Sequence, residues 1–452
     1  MNKHLDELLD TVLSHQGFTD ETKRQTEWVI ADTVIAALYG LKSEKELTAY
    51  LENQSRYSVE GEYRFPVLGS SLVTNRKDNL MIHGTATVSN ELDEGNTFAK
   101  GHPSAHILPA LLVSAYENDA SIDEVIDAYI RAYEISSRLS YASSMKDEMH
   151  PHGTWGNVGG AVARALVEGK DKEAIKEIVL LSLSLPLSTA WLAAEKGQSV
   201  RNLYTGIGSF LAYESVSFYN YGFRSNAEVA ENLWSTIMGD GINGSRMTEA
   251  LMDPPLIEKN YFKVHPACRF THAAIDATQE LMGNGRIQHG DVDKVKVETY
   301  SLAARCGTSH PQTKLQSKFS IPYTVACTLA GFDLYDNFES NLAKVSDLAD
   351  RIEVAESEEL TALLPDKRAA KVEIVLKDGT MIDHTVFNAQ GEYTHRFSEA
   401  QMWEKYENML AGSYPESFIQ GLKGDLLDMR KHATFKEWLR ANGLMEGVTC
   451  QK

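Results

Sequence analysis

Apolar residues recur every three or four positions through most of the first 255 residues, which is the spacing of an amphipathic helix. The clearest helical segments are residues 5–13, 23–39, 44–51, 108–116, 122–140, 159–167 and 172–185. Several of them contain neighbouring small residues, such as Ala36 and Ala37, which permit close packing between helices. The first part of the chain is therefore predicted to be helical, with essentially no β-structure before about residue 255.

The pattern changes after Asp253-Pro254-Pro255, which we interpret as a hinge. Residues 292–299 alternate between apolar and polar, as in a half-buried strand. Residues 371–376 and 383–386 flank an Asp-Gly turn that is typical of a hairpin, and residues 352–354 are a further candidate strand. Helical spacing returns after Ser398. We predict a mainly α protein of two domains, an all-helical domain formed by residues 1–257 and 398–452 and a smaller α+β lid of residues 258–397 packed over it.

Composition narrows the possible partners. The 452 residues include 44 basic and 63 acidic side chains, a net charge of -19, which argues against nucleic acid and anionic membrane surfaces as partners. The sequence contains no secretory signal pattern and no apolar stretch suited to a membrane span. Its four cysteines lie far apart without metal-binding spacing, as in proteins of a reducing cytoplasm. We expect a cytoplasmic protein that needs no metal or other cofactor and whose activity survives chelation.

The segment from Glu91 to Asp93 lies one short loop before His102, and an apolar helix follows this histidine. A histidine at a helix entrance with a carboxylate close by is suited to proton transfer near neutral pH. Ser104 is placed to cap the helix through its hydroxyl group. This segment is the first candidate for catalysis.

Two further clusters lie at predicted helix ends. His150 and His152 precede a helix of small residues, where they either bind a carboxylate or merely cap the helix or lie in solvent. Arg201 begins a helix and can reach a buried anion. Lys196, at the end of the preceding helix, is more typical of a side chain that pairs with the helix dipole.

Residues 261–272 place Lys263, Cys268 and Arg269 among aromatic side chains just after the hinge, so this segment is expected to face a cleft. Cys268 is either a nucleophile activated by the neighbouring cations or a lining residue. Tyr323, at the start of an apolar helix, is either a hydrogen-bond donor in a pocket or a packing residue.

Taken together, these segments resemble the MmgE/PrpD family. The matches, in chain order, are the acidic segment with HPS and LPALL, the HP-x-GT-x-G loop, the RN helix start, the segment FK-x-x-P-x-CRFTH-x-AIDA, and FS-x-PY-x-VA, from about residue 30 to 395. The resemblance implies a helical domain formed from both chain ends with an α+β lid, commonly in a homodimer. It also implies lyase or isomerase chemistry without a cofactor, on small di- or tricarboxylates.

The resemblance also implies roles for single residues. Asp93 matches the pocket acid, with Glu91 as its rival, and His102 and His150 match pocket histidines. Lys263 matches the lysine of the lid and Tyr323 the pocket tyrosine.

Two positions depart from the family pattern. Lys196 matches a family lysine only loosely, because the segment before Arg201 is shortened here. Asn96 stands where many members have a threonine or a histidine.

We therefore predict that the protein transfers a proton at a carbon α to a carboxylate, a step that needs a positioned base and cations against the developing negative charge. The predicted catalytic residues are His102, Asp93, His150 and Tyr323, and the predicted substrate-binding residues are Lys263, Arg201, Asn96, Lys196, Cys268 and Arg269. Dehydration of the 2-methylcitrate dehydratase type is the first hypothesis. Epimerisation of a substituted succinate and decarboxylation of a cis-aconitate-type substrate are alternatives. A carboxylate-binding protein without catalysis is the hypothesis from another class.

Overall fold

Helices form most of the first part of the chain. The computed structural model describes residues 2–55, 64–283, 287, 289–335 and 337–445, so residues 446–452 of the predicted C-terminal segment lie outside the described residues. The helices up to the predicted hinge are α1 (Asn2–Ser14), α2 (Asp20–Ser43), α3 (Lys45–Ser55), α4 (Arg76–Ser89), α5 (Pro103–Glu117), α6 (Ile122–Ala142), α7 (Gly156–Val167), α8 (Lys172–Leu183), α9 (Trp191–Glu195), α10 (Val200–Asn220), α11 (Ala227–Asn232) and α12 (Ser245–Thr248). A π-helical turn follows at Leu233–Ile237 and a 3-10 turn at Leu256–Lys259.

Three short strand pairs accompany these helices, and they correct the expectation of essentially no β-structure before residue 255. The pairs are β1 (Phe65–Pro66) with β2 (Val73–Thr74), β3 (Gly95–Asn96) with β6 (Asn260–Tyr261), and β4 (Ser143–Met145) with β5 (Gly239–Ile242). Strands of two to four residues are too short to produce a visible apolar–polar alternation, so the sequence pattern could not reveal them. The β3–β6 pair matters for function because it brings the loop after α4 next to the segment that contains Lys263.

A four-stranded sheet lies beyond the predicted hinge. Its strands are β7 (Val292–Thr299), β8 (Ile352–Glu356), β9 (Ala370–Leu376) and β10 (Met381–Val386), in the order β10-β9-β7-β8, with β7 and β8 parallel and the other pairs antiparallel. The helices of this part are α13 (Arg269–Met282), α14 (Ser301–Ala304), α15 (Lys314–Ser317), α16 (Ile321–Ala330), α17 (Phe338–Ala349) and α18 (Glu358–Thr361), with a 3-10 turn at His289–Asp291. The predicted strand at 292–299, the hairpin and the third strand near 352 are confirmed.

The end of the chain returns to the first core. Helices α19 (Glu399–Leu410), α20 (Glu416–Leu422) and α21 (Phe435–Ala441), with a 3-10 turn at Met429–Lys431, bury side chains in the same apolar cluster as α1, α2 and α6. A second apolar cluster joins the sheet to α13, α16 and α17. Two cores of this kind confirm the predicted fold class, mainly helical with an α+β part. The domain limits at 257 and 398 stay a prediction.

The spacing of apolar residues did not predict helix α4, although the candidate site follows this helix directly. Its sequence contains several weak helix formers, including Asn79, His83 and two threonines, and most of its side chains are buried. Gly84 allows close contact with α10, since a Cβ atom there would lie 2.7 Å from the Ser209 hydroxyl and 3.0 Å from the Gly206 Cα. Tertiary packing therefore overrides the weak local preference.

A buried ion pair anchors the loop after α4 to the returning C-terminal helix. Lys405 on α19 pairs with Asp32 on α2, and its Nζ also donates a hydrogen bond to the Leu92 carbonyl at 3.0 Å. Leu92 lies between the acidic residues of the candidate site. Helices α2 and α19, from opposite ends of the chain, thus help to hold that site in place.

Candidate active site

Residues from both sides of the predicted hinge line one cavity of about 300 Å³, a volume within the range of small-molecule sites. The part before residue 255 contributes, among others, Glu91, Lys100, His102, His150, Trp191 and Arg201. The part after it contributes Tyr261, Cys268, Arg269, Phe270, Arg305, Phe319 and Arg368. A ligand in this cavity would contact both parts of the molecule.

His102 is held in one orientation at the entrance of α5. Pro103 begins the helix, and the His102 Nδ1 lies 2.7 Å from the Glu94 carbonyl. Because a carbonyl can only accept, Nδ1 carries the proton and Nε2 is the acceptor nitrogen of the neutral ring. Among the described residues, none forms a hydrogen bond with Nε2. His102 is also partly exposed, at 11% of its side-chain surface, so it offers a ligand a fixed ring with an available acceptor.

Asp93 lies next to this histidine. Its Oδ2 is 3.1 Å from the His102 Nδ1, close enough for its charge to stabilise a protonated ring although the N–H points at the Glu94 carbonyl. Burial alone would raise the pKa of Asp93, but its interaction with the His102 ring and the positive charge of Lys263 hold it well below its usual range. Asp93 is therefore ionised near neutral pH.

Glu91, the predicted rival of Asp93, forms the centre of a second ionic contact. Lys263 Nζ lies 2.9 Å from its Oε2, and Arg201 makes a close ion pair with its other oxygen. Burial would raise the pKa of Glu91, but Arg201 and Lys263 hold it below its usual value. Its backbone has a φ of 56°, the left-handed region that non-glycine residues rarely adopt. Asp93 is thus the acid beside the histidine, and Glu91 organises the cations.

Lys263 and Arg201 were predicted to bind substrate carboxylates, and their surroundings change this interpretation. Lys263 is fully buried between Glu91 and Asp93, at 2.9 and 3.5 Å, and it is not among the residues that line the cavity. Burial would lower the pKa of Lys263, but these two carboxylates raise it above its usual value. Arg201 lines the cavity, but its charge is matched by Glu91. We now assign to Lys263 a role in positioning the acidic loop.

The predicted His150 also lines the cavity, but its ring is enclosed. Arg201 Nε lies 3.3 Å from its Nε2, the backbone N–H of His152 lies 3.2 Å from its Nδ1, and its ring stacks on Trp191 at 5.1 Å. Burial, followed by the positive charge of Arg201, lowers the pKa of His150 well below its usual value. His150 is therefore neutral at pH 7 and is better suited to hydrogen bonding than to donating a proton as an imidazolium.

Glu94 caps the helix that begins after His102. Its Oε1 accepts from the Ser104 backbone N–H at 2.9 Å and its Oε2 from the Tyr133 hydroxyl at 3.1 Å. The cap predicted for the Ser104 side chain is therefore supplied by a carboxyl group from the preceding loop. Burial raises the pKa of Glu94 to about 8, so this group is largely protonated at pH 7.

We expect Glu94→Gln to reduce the pH dependence of folding stability. The pKa of Glu94 is about 8 in the folded protein, against an ordinary value of 4.5. Between these values the folded state keeps a proton that the unfolded chain has released. The free energy of unfolding therefore falls as pH rises, by about 1.4 kcal/mol per pH unit from this group alone. Urea unfolding at pH 5 to 8 should show a smaller decline in the variant, and an unchanged decline would contradict the assignment.

Cys268 and Arg269, which were predicted to bind substrate, line the cavity. Burial opposes ionisation of Cys268, but a hydrogen bond with the Cys306 thiol and the charge of Lys263 hold its pKa below its usual value. Arg269 forms an ion pair with Glu392 at 2.9 Å, and its guanidinium lies 4.6 Å from the centre of the Tyr261 ring. Arg269 thus forms part of the cavity wall, and Glu392 balances its charge.

Three predicted site residues lie elsewhere. Asn96 is fully buried and donates to the Leu256 carbonyl at 2.8 Å, so it joins the acidic loop to the start of the second part. Lys196 is exposed at the C-terminal end of α9, as expected of a residue near a helix dipole. Tyr323 packs in the second apolar core, 5.8 Å from the Phe338 ring, and not in the cavity wall. Its apolar neighbours explain this position.

Several polar residues of the cavity wall were not singled out from the sequence, among them Tyr261, Lys100 and Arg368. Tyr261 was part of a quoted segment, but its place 6.4 Å from the His102 ring depends on the β3–β6 pairing. Burial raises the pKa of Tyr261 to about 12, so its hydroxyl keeps its proton. Lys100 lies two positions before His102, and this proximity was a usable signal. Arg368 stands next to Lys367 before β9, in a context typical of a solvated loop, and carried no signal.

Asp93, His102 and His152 each have a potential ligand atom within 4.8 Å of the others, an arrangement that can hold a metal ion. His152 Nε2 is buried without a hydrogen-bond partner in the described part of the chain. The positive charge of Lys263, 3.5 Å from Asp93, opposes a second cation at this point. The proton on His102 Nδ1 also excludes that nitrogen as a ligand.

Across the residues that the structure describes, no helix combines the length and apolarity needed to cross a membrane.

The fold and the site define a two-core protein in which a histidine, a carboxylate and several cations meet around one small-molecule cavity. The chain belongs to the MmgE/PrpD family: residues 11–238 match the MmgE/PrpD N-terminal domain and residues 265–420 match the MmgE/PrpD C-terminal domain. This family includes dehydratases, other lyases and isomerases. A comparison with curated proteins found no match.

Proposed function

We propose that this protein is a cofactor-independent lyase or isomerase that transfers a proton at a carbon α to a carboxylate of a small di- or tricarboxylate. Dehydration of a 2-methylcitrate-type substrate is the first candidate reaction. The observation that carries the proposal is the state of His102: its Nδ1 proton is directed at the Glu94 carbonyl, its Nε2 has no partner among described residues, and Asp93 lies 3.1 Å away. This arrangement supports a general base.

In the proposed reaction, His102 Nε2 accepts the proton from the α carbon. The imidazolium that forms is stabilised by the charge of Asp93, which stays ionised. The negative charge that develops on the substrate is stabilised by the cations of the cavity wall, a preorganised environment that water does not provide. For dehydration, a second group must protonate the departing hydroxide. Tyr261 is suited to this step because it keeps its proton and its ring lies near His102.

Epimerisation of a substituted succinate is the second candidate. It requires removal of a proton from one face of the carbon and delivery to the other face. His102 and Tyr261 both line the cavity, with ring centres 6.4 Å apart, and can serve as the two groups.

The cytoplasmic location and the homodimer stay predictions. Exposed apolar side chains at Leu192, Val200 and Leu203 are consistent with a contact between subunits.

We expect the purified protein to exchange the α protons of its substrate with solvent. Substituted succinates and tricarboxylates would be incubated with it in deuterated water, with and without EDTA, and followed by NMR. Loss of water indicates dehydration, deuterium with inverted configuration indicates epimerisation, and loss of carbon dioxide indicates decarboxylation. Binding without exchange for every compound would support a non-catalytic binding protein instead. Activity that EDTA abolishes and one divalent ion restores would contradict the metal-free proposal.

A further inference from the structure

The cavity is rich in positive charge although the chain as a whole is acidic, with a net charge of -19. Six basic and two acidic side chains line it: Lys100, Lys146, Arg201, Arg269, Arg305 and Arg368, with Glu91 and Asp147. Buried or half-buried cations normally have a carboxylate partner, since an unmatched charge is costly to remove from water. A cation of the wall that has no carboxylate partner therefore marks a place where a ligand anion would be stabilised.

Three of the four arginines already have carboxylate partners. Arg201 pairs with Glu91, Arg269 pairs with Glu392 at 2.9 Å, and Arg305 pairs with Glu195 at 2.7 Å. Their charges are matched before any ligand binds. They shape the wall, but they stabilise an additional anion less than an unpaired cation would.

Arg368 differs from these three. Within the described ranges, no carboxylate lies at ion-pair distance from it, and its one hydrogen bond is a long one of 3.5 Å to the Thr97 carbonyl. Glu392, the carboxylate whose charge acts on Arg368, is already held by Arg269 at 2.9 Å. The guanidinium lies 5.9 Å from the centre of the Phe270 ring, which covers one side of it. Arg368 thus presents an unmatched guanidinium in the cavity wall.

Two lysines of the wall also lack a carboxylate partner among the described residues. Lys146 donates to the Ile237 carbonyl at 2.9 Å, and Lys100, which is partly exposed, lies two positions before His102. The Nζ of Lys100 donates to the Ser143 carbonyl at 3.3 Å.

Burial, followed by the positive charges of Arg246 and Arg368, lowers the pKa of Lys100. Lys100 and Arg368 lie close together, because the Thr97 carbonyl accepts from the backbone N–H of Lys100 at 3.2 Å and from the Arg368 guanidinium at 3.5 Å. Their positive charges therefore repel each other. An anion between them would relieve this repulsion.

We propose that Arg368 and Lys100 form the subsite that binds a substrate carboxylate other than the one activated at the proton-transfer centre. This inference rests on the proposed function and assigns the residues by which the protein distinguishes a di- or tricarboxylate from a monocarboxylate. Lys100 lies two residues before His102, so a carboxylate bound there has its neighbouring carbons close to the base. The planar guanidinium of Arg368 can bind both oxygens of a carboxylate, which also orients it.

The test measures binding and does not depend on turnover. The probe is propane-1,2,3-tricarboxylate, which has no hydroxyl group to eliminate, with butyrate as the monocarboxylate control. Calorimetric titration should show that the wild-type protein binds the tricarboxylate more tightly than butyrate. Arg368→Gln should raise the Kd of the tricarboxylate by about tenfold or more and leave the Kd of butyrate nearly unchanged. Lys100→Met should weaken tricarboxylate binding in the same direction.

Arg246→Gln is the matched control, because it removes a positive charge near Lys100 from a residue outside the cavity wall. The Kd of this variant should stay within about twofold of the wild type, the tolerance expected for a screened charge. If Arg368→Gln fails to fold, Arg368→Lys and Lys100→Met carry the test. Wild-type protein that does not bind the tricarboxylate, or foldable variants with unchanged Kd, would overturn the subsite.

The same measurements separate the subsite from the proposed function. If the wild type exchanges deuterium while the Arg368 and Lys100 variants bind the tricarboxylate normally, the subsite fails and the proposed function stands. If binding is sensitive to these substitutions but no compound exchanges deuterium, the subsite stands and the proposed function fails.

Discussion

His102→Gln is expected to lower turnover by about 100-fold or more while the affinity for substrate stays nearly intact, as when a general base is removed. The reason is the single available acceptor, Nε2, on a ring whose Nδ1 proton points at the Glu94 carbonyl. Glutamine keeps a polar side chain but has no group that accepts and returns a proton near neutral pH. Steady-state kinetics on the substrate found by NMR would measure kcat and KM separately.

The matched control for this substitution is His310→Gln. His310 has 57% of its side chain exposed and pairs with Asp350 at 2.7 Å, away from the cavity. Its loss should leave kcat and KM near the wild-type values. If His102→Gln retained near-native turnover, the assignment of the base would have to be abandoned.

Lys263→Met is expected to lower the free energy of unfolding by about 3–5 kcal/mol, the cost of breaking a buried ion pair from one side. Lys263 is fully buried between Glu91 and Asp93, so its removal leaves two buried carboxylates with less positive charge. The sequence had suggested a substrate contact whose loss weakens binding and spares the fold. Because Lys263 is enclosed, we expect its loss to destabilise the fold more than it weakens substrate binding. Urea unfolding followed by circular dichroism would measure the change.

Two comparisons sharpen this prediction. Lys296→Met removes a lysine that also pairs with a carboxylate, Glu298 at 2.7 Å, but with 45% of its side chain exposed. Its effect on the free energy of unfolding should be far smaller than that of Lys263→Met, since exposed ion pairs contribute little. Adding Glu91→Gln to Lys263→Met should recover part of the lost stability. A Lys263→Met protein of wild-type stability that only binds substrate less tightly would refute the structural role.

Much of the fold followed from local patterns. The long helices near residues 23–39 and 122–140 and the hairpin around Asp378 and Gly379 were predictable because apolar spacing and turn residues act over a few positions. Helix α4 and the short strand pairs were not, because their stability comes from distant packing partners. Gly84 against Ser209, for example, joins positions that no local pattern relates.

The chemistry of the site was likewise only partly predictable from the sequence. From residue types and their order, the chain could indicate a histidine with an acid nearby, His102 and Asp93, and a family whose members act on carboxylates. It could not show which cations are free, since the sequence context marked Lys263 as a substrate contact and gave no signal for Arg368. Lys263 meets Glu91 from 172 positions away, whereas Arg368 meets no carboxylate among the described residues. Charge pairing acts through space, so only the tertiary structure decides which cation holds the protein together and which remains for a ligand.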